Sequence, residues 1–341
     1  MVMKSRKFKK KALMKINRLI IRLIYCFATL AVMGIIPFEK TYSELAAQHE
    51  GEYRLPNLAW DLKNWGIVDW SYNRYSEAEA NFKKALKIYK ELPAENRDRY
   101  LRYAADVLVH LGDLYQDKNE HSEAEASYKE ALEIYRELIA KNQNVHLFMI
   151  MALNKLGTFY QKKDEYSEAE TYYKEALKIR RELAAKNQDA YLPHVAVTLD
   201  NLGILYQKKN KYSEAEIFYM ETLEIWRKLA TKNRDEYLPD VAMTLNKLGD
   251  LYQDKNEHSK AEASYMEALR IGKELAVRKD VYFGTLVSLS TFYLNSIPNK
   301  ELSLQYAKEA TEILGKCRNT SYLWENIDKA KRVIEAWDNK E

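Results

Sequence analysis

Leu111-Gly112-Asp113-Leu114-Tyr115, followed by Ser122-Glu123-Ala124-Glu125-Ala126-Ser127-Tyr128-Lys129-Glu130-Ala131-Leu132, is one copy of a unit that recurs along the chain. The serines of the second box are Ser76, Ser122, Ser167, Ser213 and Ser259, separated by 46, 45, 46 and 46 residues. So regular a period belongs to one supersecondary unit stacked on copies of itself. At three, twelve, sixteen and nineteen residues after Gly112 stand Tyr115, Ala124, Tyr128 and Ala131. The same offsets give Tyr160, Ala169, Tyr173 and Ala176 from Gly157, and Tyr252, Ala261, Tyr265 and Ala268 from Gly249. From Gly203 they give Tyr206, Ala215 and Tyr219, with Thr222 in the last place.

A glycine inside a helix costs about 1 kcal/mol relative to alanine. Its return at one position therefore points to close approach of a neighbouring helix, where a Cβ would clash. The alanines leave room for the opposing helix and the tyrosines fill the space beside them. Between the two boxes, Gln116-Asp117-Lys118-Asn119-Glu120 reads as a polar turn. Ser122 is then the expected N-cap of a second helix, with Glu125 at capping-box spacing.

These offsets resemble the tetratricopeptide repeat, whose signature sets Leu-Gly, Tyr, Ala, an aromatic residue and Ala at the same intervals. The resemblance covers about residues 57–315. Arg136 and Arg181 stand where the family usually has a proline after the second helix. The long period and the segments Leu153-Asn154-Lys155-Leu156-Gly157 and Leu199-Asp200-Asn201-Leu202-Gly203 are similar to the kinesin-light-chain-type subgroup. The resemblance implies an all-α fold, a right-handed superhelical solenoid of antiparallel helix pairs with a concave, ligand-binding inner face.

Four segments follow. Residues 1–38 are a basic leader with an apolar signal or anchor run, and 39–56 a partial capping helix and linker. Residues 57–315 hold five clear units and a degenerate sixth, and 316–341 a C-terminal capping helix. The first unit has Asp69 where tyrosine is expected; the sixth replaces the glycine with Ser290 and lengthens its turn, placing Ser303 and Ala310 at the alanine positions. Pro56, Pro193 and Pro239 are expected in first helical turns, where a missing N–H is tolerated. In the last segment Leu323, Ile327, Ala330, Val333, Ile334 and Trp337 share one helical face.

Met1–Arg22 contains nine Lys/Arg and no acid. The other 45 basic residues face 50 acidic ones, so residues 23–341 carry about −5 although the whole chain is +4. The positive balance therefore gives no argument for nucleic-acid binding by the array. The apolar run Leu23–Phe38 directly follows the basic front, the pattern of a secretory signal or a membrane anchor. Counted from Leu19, twenty residues would cross the membrane if the segment is not cleaved, with the array outside the cytoplasm, secreted or periplasmic. The alternative is a cytoplasmic regulatory repeat protein whose N-terminal helix binds a partner.

Motifs for catalysis are missing. Cys26 and Cys317 are far apart, the six histidines are scattered, and no glycine-rich phosphate loop or His-Glu-x-x-His occurs. The sequence thus reads as non-catalytic, with no cofactor and no metal site. The expected function is a protein–protein interaction scaffold that binds a protein or peptide segment in its groove. The resemblance places the groove at positions flanking each Leu-Gly pair: Lys63, Asn64, His110, Asn154, Lys155, Asn201, Asn246 and Lys247, with Val109 and Asp200 beside them. One turn on, Gln116, Gln161, Gln207 and Gln253 recur after each tyrosine. Side-chain amides both donate and accept, so such a ladder can hydrogen-bond an extended peptide backbone; equally, a repeat duplicates its solvent-facing residues with everything else. Lys63 matches the lysine of the family's C-terminal carboxylate clamp, but Ile67 occupies the asparagine place, so that specificity is not expected here.

Overall fold

The computed structural model describes residues 54–92, 94–141, 143–275, 279–314 and 321–339. Among the described residues are thirteen α-helices and no strand. They are α1 (Arg54–Ser71), α2 (Tyr75–Glu91), α3 (Ala94–Asp117), α4 (His121–Ala140), α5 (His146–Lys162), α6 (Tyr166–Lys186) and α7 (Gln188–Lys208). The remainder are α8 (Tyr212–Ala230), α9 (Arg234–Asp254), α10 (His258–Glu274), α11 (Lys279–Asn295), α12 (Lys300–Leu314) and α13 (Ser321–Asp338). The expected leader, and the capping segment up to residue 53, lie outside the described residues.

The chain forms two compact units, divided within α4 after Ser127. In the first, α1 packs on α2, α2 on α3, and α3 also on α1. In the second, each helix from α5 to α13 packs on the next, and the odd-numbered helices α9, α11 and α13 also meet one another in turn.

Helical geometry explains which residues are inside. At 100° per residue, with the glycine as zero, the positions 8, 7, 5, 4 and 1 before it and 2 and 3 after it fall on one side of the helix. In α7 these are Val195, Ala196, Thr198, Leu199, Leu202, Leu205 and Tyr206, and all are buried. The counterparts in α9 are Val241, Ala242, Thr244, Leu245, Leu248, Leu251 and Tyr252, buried as well.

The glycine makes room for an aromatic ring of its own unit. A Cβ on Gly157 would stand 2.5 Å from Tyr173 Cε1, and one on Gly203 2.5 Å from Tyr219 Cε1. In the first unit a Cβ on Gly66 would meet Phe82 at 2.6 Å. The sixth repeat shows the converse. Its longer turn puts Ala307 at the tyrosine place, and there Ser290 is accommodated, fully buried and donating to Val287 O.

Each first helix of a clear repeat ends in a left-handed residue seven positions past the glycine: Asn73, Asn119, Asp164, Asn210 and Asn256, with φ from 56° to 60°. Asparagine and aspartate tolerate this region best among side-chain-bearing residues. The next amide then bonds back five residues, as Lys211 N to Tyr206 O at 2.9 Å, which closes the helix end.

Two local expectations are corrected. The second helices open one residue before the box serine, at Tyr75, His121, Tyr166, Tyr212 and His258. Their cap residues Arg74, Glu165, Lys211 and Glu257 make no side-chain capping bond, so the serine is not the N-cap. The box glutamate is drawn away to the next repeat. Glu170 accepts from Tyr206 Oη and Lys209 Nζ, both at 2.6 Å, and Glu216 from Tyr252 Oη at 2.9 Å and Lys255 Nζ at 2.5 Å. Glu79 does the same with Tyr115 and Lys118 in the first unit. Two charge-assisted bonds across an interface outweigh one local cap.

Pro193 and Pro239, in turn, lie inside α7 and α9 and not in their first turns. Asn187 and Asn233 cap those helices, accepting from Ala190 N at 3.2 Å and Glu236 N at 3.4 Å, and start them five residues earlier.

The arginines at the missing-proline place also tie repeats together. Arg136 bonds Glu175 at 3.0 Å, Arg181 bonds Glu221 at 2.6 Å and Arg227 bonds Glu267 at 2.7 Å.

Candidate protein-binding face

The side of each first helix opposite the buried one spans positions −6, −3, −2, +1, +4 and +5 from the glycine, an arc of about 120°. In the second unit this face is built by α5, α7 and α9. It brings together Asn154, Lys155, Gln161, Asn201, Gln207, Asn246, Lys247 and Gln253, each partly exposed. Bonds between neighbouring first helices show that α7, α9 and α11 share one surface. Gln207 Nε2 donates to Asp254 Oδ2 at 2.7 Å, Lys247 is paired with Asp200, and Asn246 Nδ2 donates to Thr285 Oγ1 of α11 at 2.9 Å.

The glutamine ladder has internal partners. Gln161 Oε1 accepts from Tyr173 Oη at 3.1 Å and Gln207 Oε1 from Tyr219 Oη at 3.0 Å. Tyr265 Oη lies 2.6 Å from Asp250 Oδ1 and 3.2 Å from Gln253 Oε1. The recurrence of Gln thus follows from the recurrence of the buried tyrosine sixteen residues past each glycine. One row below, Asn154 Oδ1, Asp200 Oδ1 and Asn246 Oδ1 are closed off from solvent without a hydrogen-bond partner.

Electrostatics concentrate at α9. Asp250 is exposed at the surface, but the protein packed around it desolvates its carboxyl and pushes it up to about 6, helped by Asp254 and opposed by the Tyr265 hydroxyl and the charges of Lys329 and Lys247. Burial also holds the Tyr219 and Tyr265 hydroxyls well above the usual phenol range, with Asp200, Asp250 and Asp254 adding to the effect on Tyr219.

In the first unit, α1 and α3 present Lys63, Asn64, His110 and Gln116 on the corresponding arc. Lys63 Nζ pairs with Asp106 Oδ2 at 2.8 Å, and Trp70 Nε1 donates to Asp117 Oδ2 at 2.9 Å. His110 stacks on Phe82 with 5.8 Å between ring centres. Val109, expected on the face, is buried.

The reading by motif passed over an apolar row. Six residues before the glycine stand Met151, Val197 and Met243; Val197 and Met243 are each 45% exposed, and Trp60 at the same place in α1 is 51% exposed. The helical arc alone would have found them, since position −6 falls between −3 and −2 around the axis. Among the described residues there is no group of His, Cys, Asp and Glu that could hold a metal ion, and no helix long and apolar enough to cross a membrane.

The fold and this face define an all-α solenoid of repeated helix pairs. The tetratricopeptide repeat family profiles match residues 105–138, 148–228 and 241–279, so the chain carries tetratricopeptide repeats over those residues. Curated proteins give no match. Among solved structures it is similar to BtubC (BKLC) from P. vanneervenii, at 21% identity and TM-score 0.57, covering 72% of this chain and 96% of that one. It is similar to the apo form of RapI at 15% identity and TM-score 0.56, over 82% of this chain and 99% of that one. TPR-like repeats assigned to a kinesin light chain of Podosopora anserina align at 16% identity and TM-score 0.50, over 66% and 98%.

Proposed function

We propose that this protein is a non-catalytic interaction scaffold that binds a protein or peptide segment on the first-helix face of its repeats. The observation that carries the reading is the contrast between the two sides of α7 and α9. One side is wholly buried, while the other leaves Val197 and Met243 open among amides and charges. Apolar side chains held at the surface in a repeated row, rimmed by polar groups, mark a surface that gains by being covered. We further propose that the leader tethers or exports the chain, so that the array works outside the cytoplasm. Its basic front and apolar run support this.

The test is capture of partners by the full-length chain and by a variant carrying Lys155→Glu and Lys247→Glu. Loss of specific partners from the variant is expected, and an unchanged set would argue against the face. Fractionation of a tagged chain tests the location: recovery wholly in the soluble cytosol would remove the tether and favour a cytoplasmic regulatory protein.

A further inference from the structure

Resting on the binding face just described, we infer that Arg180, at the seam between α6 and α7 along the edge of that face, receives a carboxylate side chain of the bound protein segment. The partner's contacting stretch therefore carries an aspartate or glutamate aimed at this seam.

Arg180 stands where the other repeats close their packing with a ring. Twenty-three residues past the glycines come Tyr89, Tyr135, Arg180, Trp226 and Gly272. Tyr89 stacks on Tyr103 with 5.8 Å between ring centres, Tyr135 on Phe148 at 6.1 Å and Trp226 on Tyr237 at 5.8 Å. At Gly272 the space goes to Tyr282, whose Cα lies 2.9 Å from where a Cβ would be. Nine residues before the glycine, where α3 and α5 have Tyr103 and Phe148, α7 has His194. This seam thus exchanges a pair of rings for a guanidinium and an imidazole.

The guanidinium is not neutralised by the chain itself. Arg136, Arg181 and Arg227 each pair with a glutamate of the next repeat. Among the described residues no carboxylate pairs with Arg180; its Nη1 donates to His194 O at 2.8 Å and to Thr198 Oγ1. Burial brings its pKa down to about 10 with no acid pulling it back, and burial together with the Arg180 charge lowers that of His194. A cation withdrawn from water without a counter-charge costs stability, which a ring at this place would not. A packing rule broken in one copy, against stability, is where a ligand is to be expected.

The unused donors suit one class of ligand. With Nη1 occupied, the Nε–H and the two Nη2 hydrogens remain. That edge of a guanidinium takes both oxygens of a carboxylate in two parallel bonds. The place is right as well. His194 lies at about 180° round α7 from the glycine, about 20° past Asn201 at the margin of the exposed arc. His194 is itself exposed, and exposed Val197 follows about one turn on. A segment seated over Val197 therefore passes along this seam.

The test begins with a display library of random peptides selected on the full-length chain, the strongest binder being measured by fluorescence anisotropy. Each of its Asp and Glu residues is replaced in turn by Asn or Gln, against the native chain, Arg180→Tyr and Arg180→Gln, with circular dichroism verifying that each variant is folded. One such replacement should weaken binding about tenfold or more on the native chain, and less than about twofold on either variant. Arg180→Tyr restores the ring of the other repeats, so its urea midpoint should match or exceed the native one; a fall would mean that the guanidinium serves packing, and would overturn the site. Acid replacements that cost the same on the native chain and both variants, with binding still lost on Val197→Lys, would overturn the site and leave the binding face standing. Binders indifferent to Val197→Lys, or no enrichment at all, would overturn both. Inorganic phosphate that raises the thermal midpoint of the native chain but not of Arg180→Tyr, with no acid dependence in the peptide, would make this a free-anion site and overturn the partner's carboxylate.

Discussion

Gly203 and Gly284 are both helical glycines, and the structure gives them opposite signs on replacement by alanine. On propensity alone each change should stabilise by about 1 kcal/mol. At Gly284 nothing lies within 4 Å of the added Cβ, so that gain should appear in full. At Gly203 the Cβ would stand 2.5, 2.6 and 3.0 Å from Cε1, Cδ1 and Cζ of Tyr219. That ring cannot step aside cheaply. Tyr219 is buried, and its hydroxyl is fixed to Gln207, whose amide is in turn fixed to Asp254. Overpacking of this kind costs about 1–3 kcal/mol, enough to cancel the propensity gain and leave Gly203→Ala destabilised by up to about 2 kcal/mol.

Urea unfolding of the full chain followed by far-UV circular dichroism reads both. With a slope of roughly 3 kcal/mol/M for a chain of this size, Gly203→Ala should lower the midpoint by up to about 0.7 M and Gly284→Ala should raise it by about 0.3 M. Pairing Gly203→Ala with Tyr219→Leu should remove the steric penalty, so the two changes will not add. A stabilising Gly203→Ala, or strict additivity with Tyr219→Leu, would refute the idea that the glycine exists to seat the ring.

Two further predictions concern carboxylates of opposite character. Glu170 is held at about 2: burial works against it, but the hydrogen bonds from Lys174, Lys209 and Tyr206 prevail. Its native value lies below the unfolded one, so its contribution is complete above about pH 4.5 and lost as pH falls toward 2; Glu170→Gln should remove about 2 kcal/mol at pH 7 and flatten that acid limb of the urea midpoint. Asp250 lies the other way, raised to about 6, so the stability linked to its proton is present below pH 3.8 and lost as pH rises through 6. Asp250→Asn should therefore raise the midpoint at pH 7 and have little effect at pH 3.5. Solvent contact at this residue limits the gain to under about 1 kcal/mol, and a midpoint lowered at pH 7 would contradict the assignment.

What the sequence disclosed and what it withheld divide along the same line as the two sides of a first helix. Leu111, Leu156, Leu202 and Leu248 recur one residue before the glycine because each meets the same buried surroundings, and the period of 45–46 residues is the direct trace of that packing. Recurrence also misleads. Gln161, Gln207 and Gln253 repeat on the open side, yet each is matched to a tyrosine that belongs to the core, so their constancy records an internal bond as much as a surface. Similarly, the serine and glutamate of the second box have the spacing of a local cap, and no local rule reveals that Glu170 and Glu216 are drawn to lysines 39 residues away. Position −6 shows the opposite behaviour: Trp60, Asp106, Met151, Val197 and Met243 are four residue types at one place, while the glycine is the same in all five copies. Packing between identical neighbours gives no reason for such divergence, since every copy there would be served by one residue. Variation at a fixed place in an otherwise constant frame is what contact with a non-repeating partner would produce, and position −3, with Lys63, Val109, Asn154, Asp200 and Asn246, varies as widely on the same arc.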